Sequence, residues 1–459
     1  MAEFVDGAVY VCGCGPSPQD AGAPAPPRQL PRWLRRGWDV SRSLWDRNAL
    51  LIDLDLEDVR FDAPCDVYLW PERAFRIQAP VTAAIRSLLA EHGIAPLHVL
   101  SGRGHHFVWS VPVQSRVFHA LADLGRDAAG PGSQVPFAAW AGRPDPEREA
   151  AFLGAGMVLE HLAQEVIRWS PLEDVPLELT AVEPGAGRDG REVVSIDLSE
   201  YGDPLETRTL RIPFSPYLKA IRQLPELTTV LPELHAIPWE GHLEDGLAAM
   251  RSPEKVAALA AQSSCVIPSA PGDTERLLAS YRGSSVAAAH RLFYGQRMHP
   301  PEAWGETYDR TELDALPGCA RRVLGDADGA LLTPAGIQLV VRVFLALGWH
   351  PRHVAGLIRS RWERSAETAP AWEVYSPARR ADFYVRLFTS AIFTGLDTLV
   401  SLNCRSQGER GGCPSACARN LLEFRTSLLE RRRHDRLAGR PVHGLFLPDR
   451  SPGLPGGDP

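Results

Sequence analysis

Asp53-Leu54-Asp55 closes the apolar run Ala49-Leu50-Leu51-Ile52. In an extended strand, residues i and i+2 project to one side, so both carboxylates leave the same face. Two charges at the end of a buried run need cations or solvent. Paired carboxylates suit hard divalent ions such as Mg²⁺ or Mn²⁺. Asp197, which follows Val193-Val194-Ser195-Ile196, offers a third carboxylate from a second strand end. Ser101-Gly102-Arg103-Gly104-His105-His106 is a glycine-rich turn. Glycine lets a backbone approach phosphate oxygens closely, Arg103 can fork onto phosphate, and Ser101 and a histidine can donate hydrogen bonds. With Phe107 buried on one side of the next strand, alternation turns His106 to the other. Arg211 and Lys219 place positive charge just beyond Asp197. Together these pieces describe a metal and triphosphate pocket. Each also has an ordinary counterpart: a solvated strand end, a hairpin turn with a core histidine, a basic loop at a sheet edge.

Such a pocket needs strands to hold it, and the periodicity supplies them. Leu50 to Leu56, Leu97 to Leu100, Phe107 to Val113, Leu177 to Val182 and Val193 to Leu198 read as strands. Pro80 to His92, stopped by Gly93, and Met157 to Trp169 read as helices. Residues 15–33 read as a linker, Trp33 to Asn48 as an aromatic, Arg-rich approach segment, and Gly130 to Asp145 as a loop. The alternation predicts an α+β or α/β first domain. After Pro238 the pattern changes, and from Glu244 it is helical. Thr333-Pro334 reads as an N-cap and first turn of a helix running to Leu347 and ended by Gly348. Pro351 opens another helix, and Pro377 a third toward Phe393. From Gly439 the chain reads as a disordered tail. The expected division is an extension over 1–44, a catalytic α+β domain over 45–240, a helical connector over 241–310, an all-α domain over 311–430 and a basic tail over 431–459.

The chain has 459 residues, a net charge of −7 and eight cysteines. That length favours about two to four domains. Nearly all the cationic charge is arginine, because Lys219 and Lys255 are the only lysines. The runs Arg359/Arg361/Arg364, Arg379-Arg380 and Arg431-Arg432-Arg433 fit either a phosphate-binding surface or solvated helix faces. No run of about 18 uncharged apolar residues appears, so no membrane span or membrane partner is expected. The N-terminus has no basic n-region, so a cytoplasmic protein with reduced thiols is expected. Cys319, Cys404, Cys413 and Cys417 fall in the C-terminal third. Two held close with others distant is a metal-site pattern, for Zn²⁺ or an iron–sulfur cluster. Buried free thiols are the plainer alternative. Tyr375, Trp349 and Trp362 suit base stacking or a helical core.

Asp-x-Asp on a strand, Ser-Gly-x-Gly-x-His, a hydrophobic-Asp strand and then Arg211-Ile212-Pro213-Phe214-Ser215 resemble the archaeo-eukaryotic primase superfamily over roughly residues 45–225. The resemblance implies a primase-type catalytic domain with an RRM-like sheet. It implies a metal triad of Asp53, Asp55 and Asp197. It also implies nucleotide contacts from Ser101, Gly102, Arg103, Gly104, His106, Arg211, Ser215 and Lys219. His106 falls on the motif histidine and His105 on the variable position. Tyr217 stands where cellular primases carry a histidine, and no cysteine lies between Phe107 and Val194 to build the zinc knuckle of small primase subunits. Leu316-Pro317-Gly318-Cys319, the Leu332-to-Gly336 helix start and the late cysteines are similar to the iron–sulfur domain of the large primase subunit, over roughly 311–425. This second resemblance implies a [4Fe-4S] cluster on Cys319, Cys404, Cys413 and Cys417. The activity implied is two-metal primer synthesis from nucleoside triphosphates on single-stranded DNA, alongside a helicase or other replication or defence proteins. The alternatives are a primer-dependent gap-filling polymerase and a non-catalytic nucleic-acid binder with a structural metal.

Overall fold

The computed structural model describes residues 1–17, 20, 22–128, 138–172, 175–180, 192–223, 230–325, 333–365, 376–399, 402–409, 413, 417 and 419–438. It is a mixed α/β chain in which a sheet region precedes helices. Two compact units are present: Met1–Ala287 with Pro370–Arg380, and Ala288–Ala369 with Ala381–Pro459.

The first unit is built on a six-stranded sheet. In chain order its strands are β3 (Ala49–Arg60), β4 (Leu97–Leu100), β5 (Gly104–Pro112), β6 (Leu177–Leu179), β7 (Glu192–Asp197) and β9 (Ile237–Pro238). Their spatial order is β6-β7-β3-β5-β4-β9. All neighbours run antiparallel except β6 and β7. The 12-residue strand β3 is central, and its buried Ile52, Leu54 and Leu56 lie beside Trp109, Phe107 and His105 of β5. Helices close that face. Phe75 meets the His105 ring edge-on at 5.2 Å, and the Trp109 indole donates to Thr274 Oγ1 at 3.1 Å.

A second sheet, of three strands, lies in stretches that sequence reading assigns to the N-terminal extension, the approach segment and a basic loop after Asp197. Its strands are β1 (Val11–Cys14), β2 (Asp39–Ser43) and β8 (Thr209–Arg211), in the order β1-β2-β8. These strands are only three to five residues long, too short for periodicity to show.

Both expected helices of this unit begin earlier than their periodicity suggests. One spans Pro71–Glu91 and carries Pro80 inside it. An internal proline costs about 3 kcal/mol, yet Ala74, Phe75 and Gln78 are buried before it and Val81, Ile85, Leu88 and Leu89 after it. Tertiary packing overrides the break. The other spans Pro146–Trp169, and the Asp145 side chain caps it by accepting from Arg148 N. Among the described residues it is the one helix long and apolar enough to cross a membrane, but 89 % of that apolar stretch is buried inside the fold. The first unit also continues past residue 240. Helix Pro271–Gly283 belongs to it, and Ser110 N bonds Pro268 O at 2.8 Å. Arg379 and Arg380 belong to it through ion pairs with Glu149 and Asp203, so this arginine pair is not a solvated face.

The second unit is helical among its described residues. Thr333 caps helix Pro334–Ala346 by accepting from Gly336 N at 3.1 Å, and Gly348 has a φ of +90° at its end. Helices Pro351–Ser365 and Pro377–Phe393 follow the expected pattern, whereas helix Leu421–Leu437 runs into the stretch expected to be tail. Trp362 is buried, and Trp349 packs edge-on against Phe344, so both serve the core. Tyr375 and the tail from Gly439 lie outside the described residues.

Helices Arg116–Gly125 and Pro146–Trp169 approach so closely that a Cβ on Gly154 would lie 2.0 Å from Leu121 O. Gly154→Ala should gain about 1 kcal/mol of helix propensity. It should lose more by forcing two backbones apart. A net loss of about 2 kcal/mol in urea unfolding is expected, and a stabilised variant would contradict this packing.

Candidate active site

The register of β3 assembles the site. Asp55 lies directly opposite His106 of β5 on one side and Asp197 of β7 on the other. Asp53 and Glu57, two residues either way, share its face. The His106 ring sits between the first two carboxylates, with Nδ1 3.0 Å from Asp53 Oδ2 and 3.7 Å from Asp55 Oδ1. The three carboxylates and the histidine read from the sequence are therefore brought together. His105 points to the opposite face and shares a 3.0 Å hydrogen bond with His98.

Crowded carboxylates govern the electrostatics. Burial pushes Asp55 up to about 7 against the pull of His106, with Glu57, Asp53 and Asp197 adding like charge. Burial opposes charge on His106, but Asp55 and Asp53 outweigh it and hold the imidazolium up to about 10. Burial and Glu57 raise Asp197, although Ser199 N donates to it at 2.8 Å.

A basic wall stands beside these groups. Arg103 Nε donates to Glu57 Oε2 at 2.6 Å. Arg211 pairs with Asp39 and lies 4.3 Å over the Tyr217 ring. Lys219 is pulled below its ordinary value, first by burial and then by Arg103, while Glu57 and Asp55 act the other way. Lys219 therefore stands among these very groups.

Other expected contact residues are engaged within the protein. Ser215 is fully buried, and its hydroxyl donates to Ile212 O at 2.7 Å, within the turn. A Cβ on Gly102 would strike the Tyr217 ring at 2.4 Å, and one on Gly104 would strike Leu56 O at 1.9 Å. Protein fills the space a side chain would take at both positions, so the packing requires glycine there. Ser101 is buried, and its hydroxyl donates to Gly104 O at 3.3 Å.

Sequence reading misses Glu57, Glu200, Tyr201 and Asp39. Glu57 was findable, since it continues the alternation of Asp53 and Asp55. Glu200 and Tyr201 lie in the short turn Ser199–Gly202, where no period marks them.

Hard oxygen donors suit Mg²⁺ or Mn²⁺. Asp53 is buried, and its Oδ1 has no hydrogen-bond partner, as expected of a ligand atom. Among the described residues no three His, Cys, Asp or Glu side chains already converge as a ligand set, so loading an ion requires side chains to turn.

In the second unit, Cys319 is buried in the first turn of helix Gly318–Gly325. Arg419 O accepts from Gly318 N and from Cys417 Sγ, both at 3.0 Å, and Cys404 Sγ accepts from Leu421 N at 3.3 Å. Burial pushes the Cys319 thiol up to about 11, with Cys417 and Cys404 adding to it. Cys319, Cys404 and Cys417 are thus neighbours, and both Cys413 and Cys417 are exposed. Such sulfurs, once deprotonated, suit iron–sulfur or zinc chemistry, but among the described residues they do not converge as a ligand set.

Comparison with family models, curated proteins and solved structures yields no match for this chain.

Asp197→Asn keeps the acceptor for Ser199 N and removes a buried charge. A carboxyl whose value is raised by folding costs stability above that value and costs none below its unfolded value. The variant should unfold at higher urea than wild type at pH 8, and the gap should close as pH falls toward about 4. An advantage that grows on acidification would refute this electrostatic account.

Proposed function

We propose that this chain is a single-chain primase-polymerase of the archaeo-eukaryotic primase superfamily, making primers on single-stranded DNA from nucleoside triphosphates. The observation that carries this reading is the register of Asp55 between His106 and Asp197, with Asp53 on the same face. The mostly antiparallel sheet is read as the RRM-like catalytic fold. The helical second unit is read as the counterpart of the large-subunit iron–sulfur domain.

In this reading Asp53, Asp55 and Asp197 hold two divalent cations. Such ions, when bound, lower the pKa of an attacking 3′-hydroxyl and neutralise a triphosphate. The protein's own groups do the rest. Arg103 exchanges Glu57 for phosphate, and Lys219 and Arg211 flank the leaving pyrophosphate. His106 bridges Asp53 and Asp55 in the resting protein and would release both carboxylates to hold the cations. Cys319, Cys404 and Cys417, with Cys413, hold the cluster or a zinc.

The test is synthesis on an unprimed single-stranded template with nucleotides and Mg²⁺ or Mn²⁺. Wild type should make product, and Asp53→Ala/Asp55→Ala should lose at least about 100-fold. Equal product from both would sink the proposal. Product only from a primed template would mark a gap-filling polymerase instead, and template binding without synthesis a non-catalytic binder. Protein purified without oxygen should be brown with stoichiometric iron, and Cys319→Ser should lose the colour. Colourless protein with one zinc would replace the cluster by zinc.

A further inference from the structure

The turn after β7 reaches back to the carboxylates. The β3–β7 ladder ends at the Asp55–Asp197 pair, which leaves the backbone of Asp53 without a strand on that side. The Tyr201 hydroxyl takes the missing strand's place. It accepts from Asp53 N at 3.1 Å and donates to Asp53 O at 2.9 Å. Tyr201 is fully buried, and its ring packs against Phe152 at 4.6 Å. Gly156 gives it room, since a Cβ there would come within 2.6 Å of the tyrosine. The turn is therefore locked to the strand at the residue that carries the first carboxylate.

Glu200 precedes this anchor. Its electrostatic neighbours are Asp53, Arg208, Asp55 and Asp197, so its carboxyl stands in the same cluster. Glu200 Oε1 is a buried oxygen without a hydrogen-bond partner, and so is Asp53 Oδ1. A buried carboxylate oxygen left without a donor costs free energy that a cation would relieve.

We propose that Glu200 is a fourth carboxylate of the cation pocket and that Tyr201 is the positioning residue that fixes Asp53 beside it. This rests on the reading of Asp53, Asp55 and Asp197 as cation holders, and adds a ligand that the sequence pattern does not mark. Glutamate at this place is a hard oxygen donor on a short rigid turn, as Mg²⁺ and Mn²⁺ require.

The test is calorimetric titration of the full chain with Mn²⁺ in the absence of nucleotide. Mn²⁺ is a hard ion and leaves the cysteines aside. Glu200→Gln and Asp53→Asn should each weaken Mn²⁺ binding about tenfold or more, or remove a site. Tyr201→Phe should weaken it and also lower the thermal midpoint, because Asp53 N and O lose their buried partner. Far-UV circular dichroism identifies any variant that fails to fold, and Glu200→Asp, which keeps the charge, should recover part of the affinity. If Asp53→Asn loses Mn²⁺ while Glu200→Gln binds it like wild type, the role of Glu200 is refuted and the triad stands. If wild type and Asp53→Asn behave alike, the triad reading falls, and this proposal with it.

Discussion

The pairing of β3 on both sides is the constraint on which the first unit depends. It sets Asp55 against Asp197, an arrangement of like charges that destabilises a sheet. It also sets Asp55 against His106, whose ring answers part of that charge. A slip of one residue in either ladder would turn Asp53, Asp55 and Glu57 to the opposite face and bring Ile52, Leu54 and Leu56 to the site. The packing of those apolar residues beside Phe107 and Trp109 therefore fixes where the carboxylates point. Core burial and site geometry are one decision.

The small sheet aims the basic wall at that site. Arg211 ends β8 opposite Ser41 of β2, and Asp39 of the same strand accepts from Arg211 and from Leu218 N at 3.1 Å. Between them Phe214 adopts a φ of +67°, which a bulky side chain rarely takes. The Ser215 hydroxyl bond to Ile212 O and the Phe214 N bond to Ala236 O hold it there. Strain of this kind persists where surrounding contacts over-determine it. Here those contacts turn the chain so that Arg211 covers Tyr217 and Lys219 begins the next helix.

What the sequence makes legible follows physical range. The strands and carboxylates were readable because alternation is local: Asp53, Asp55 and His106 each announce their face within a few residues. The helix cap at Thr333 was readable for the same reason. The start of helix Pro71–Glu91 was not, because burial against distant elements overrides a proline's local preference. Nor were the short strands β1 and β8, which exist through partners far along the chain. The glycines show the same limit. Their identity signalled a close approach, but only the fold shows that Tyr217 and Leu56 are what approaches.

The charge distribution explains why the arginines are paired rather than free. Arg103 is held by Glu57 and Arg211 by Asp39, and His106 by Asp53 and Asp55. A buried cation left unpaired beside a pocket would be as costly as an unpaired carboxylate. The resting protein therefore closes its charges on one another, acid to base across the same few ångströms. A ligand that carries its own cations and phosphates brings both signs at once. Under the proposed function, cations would satisfy the carboxylates while phosphates satisfied the released arginines, and no charge would be stranded. An ion alone would satisfy only the carboxylates, so the pocket would bind it, but more weakly than an ion that arrives with a triphosphate.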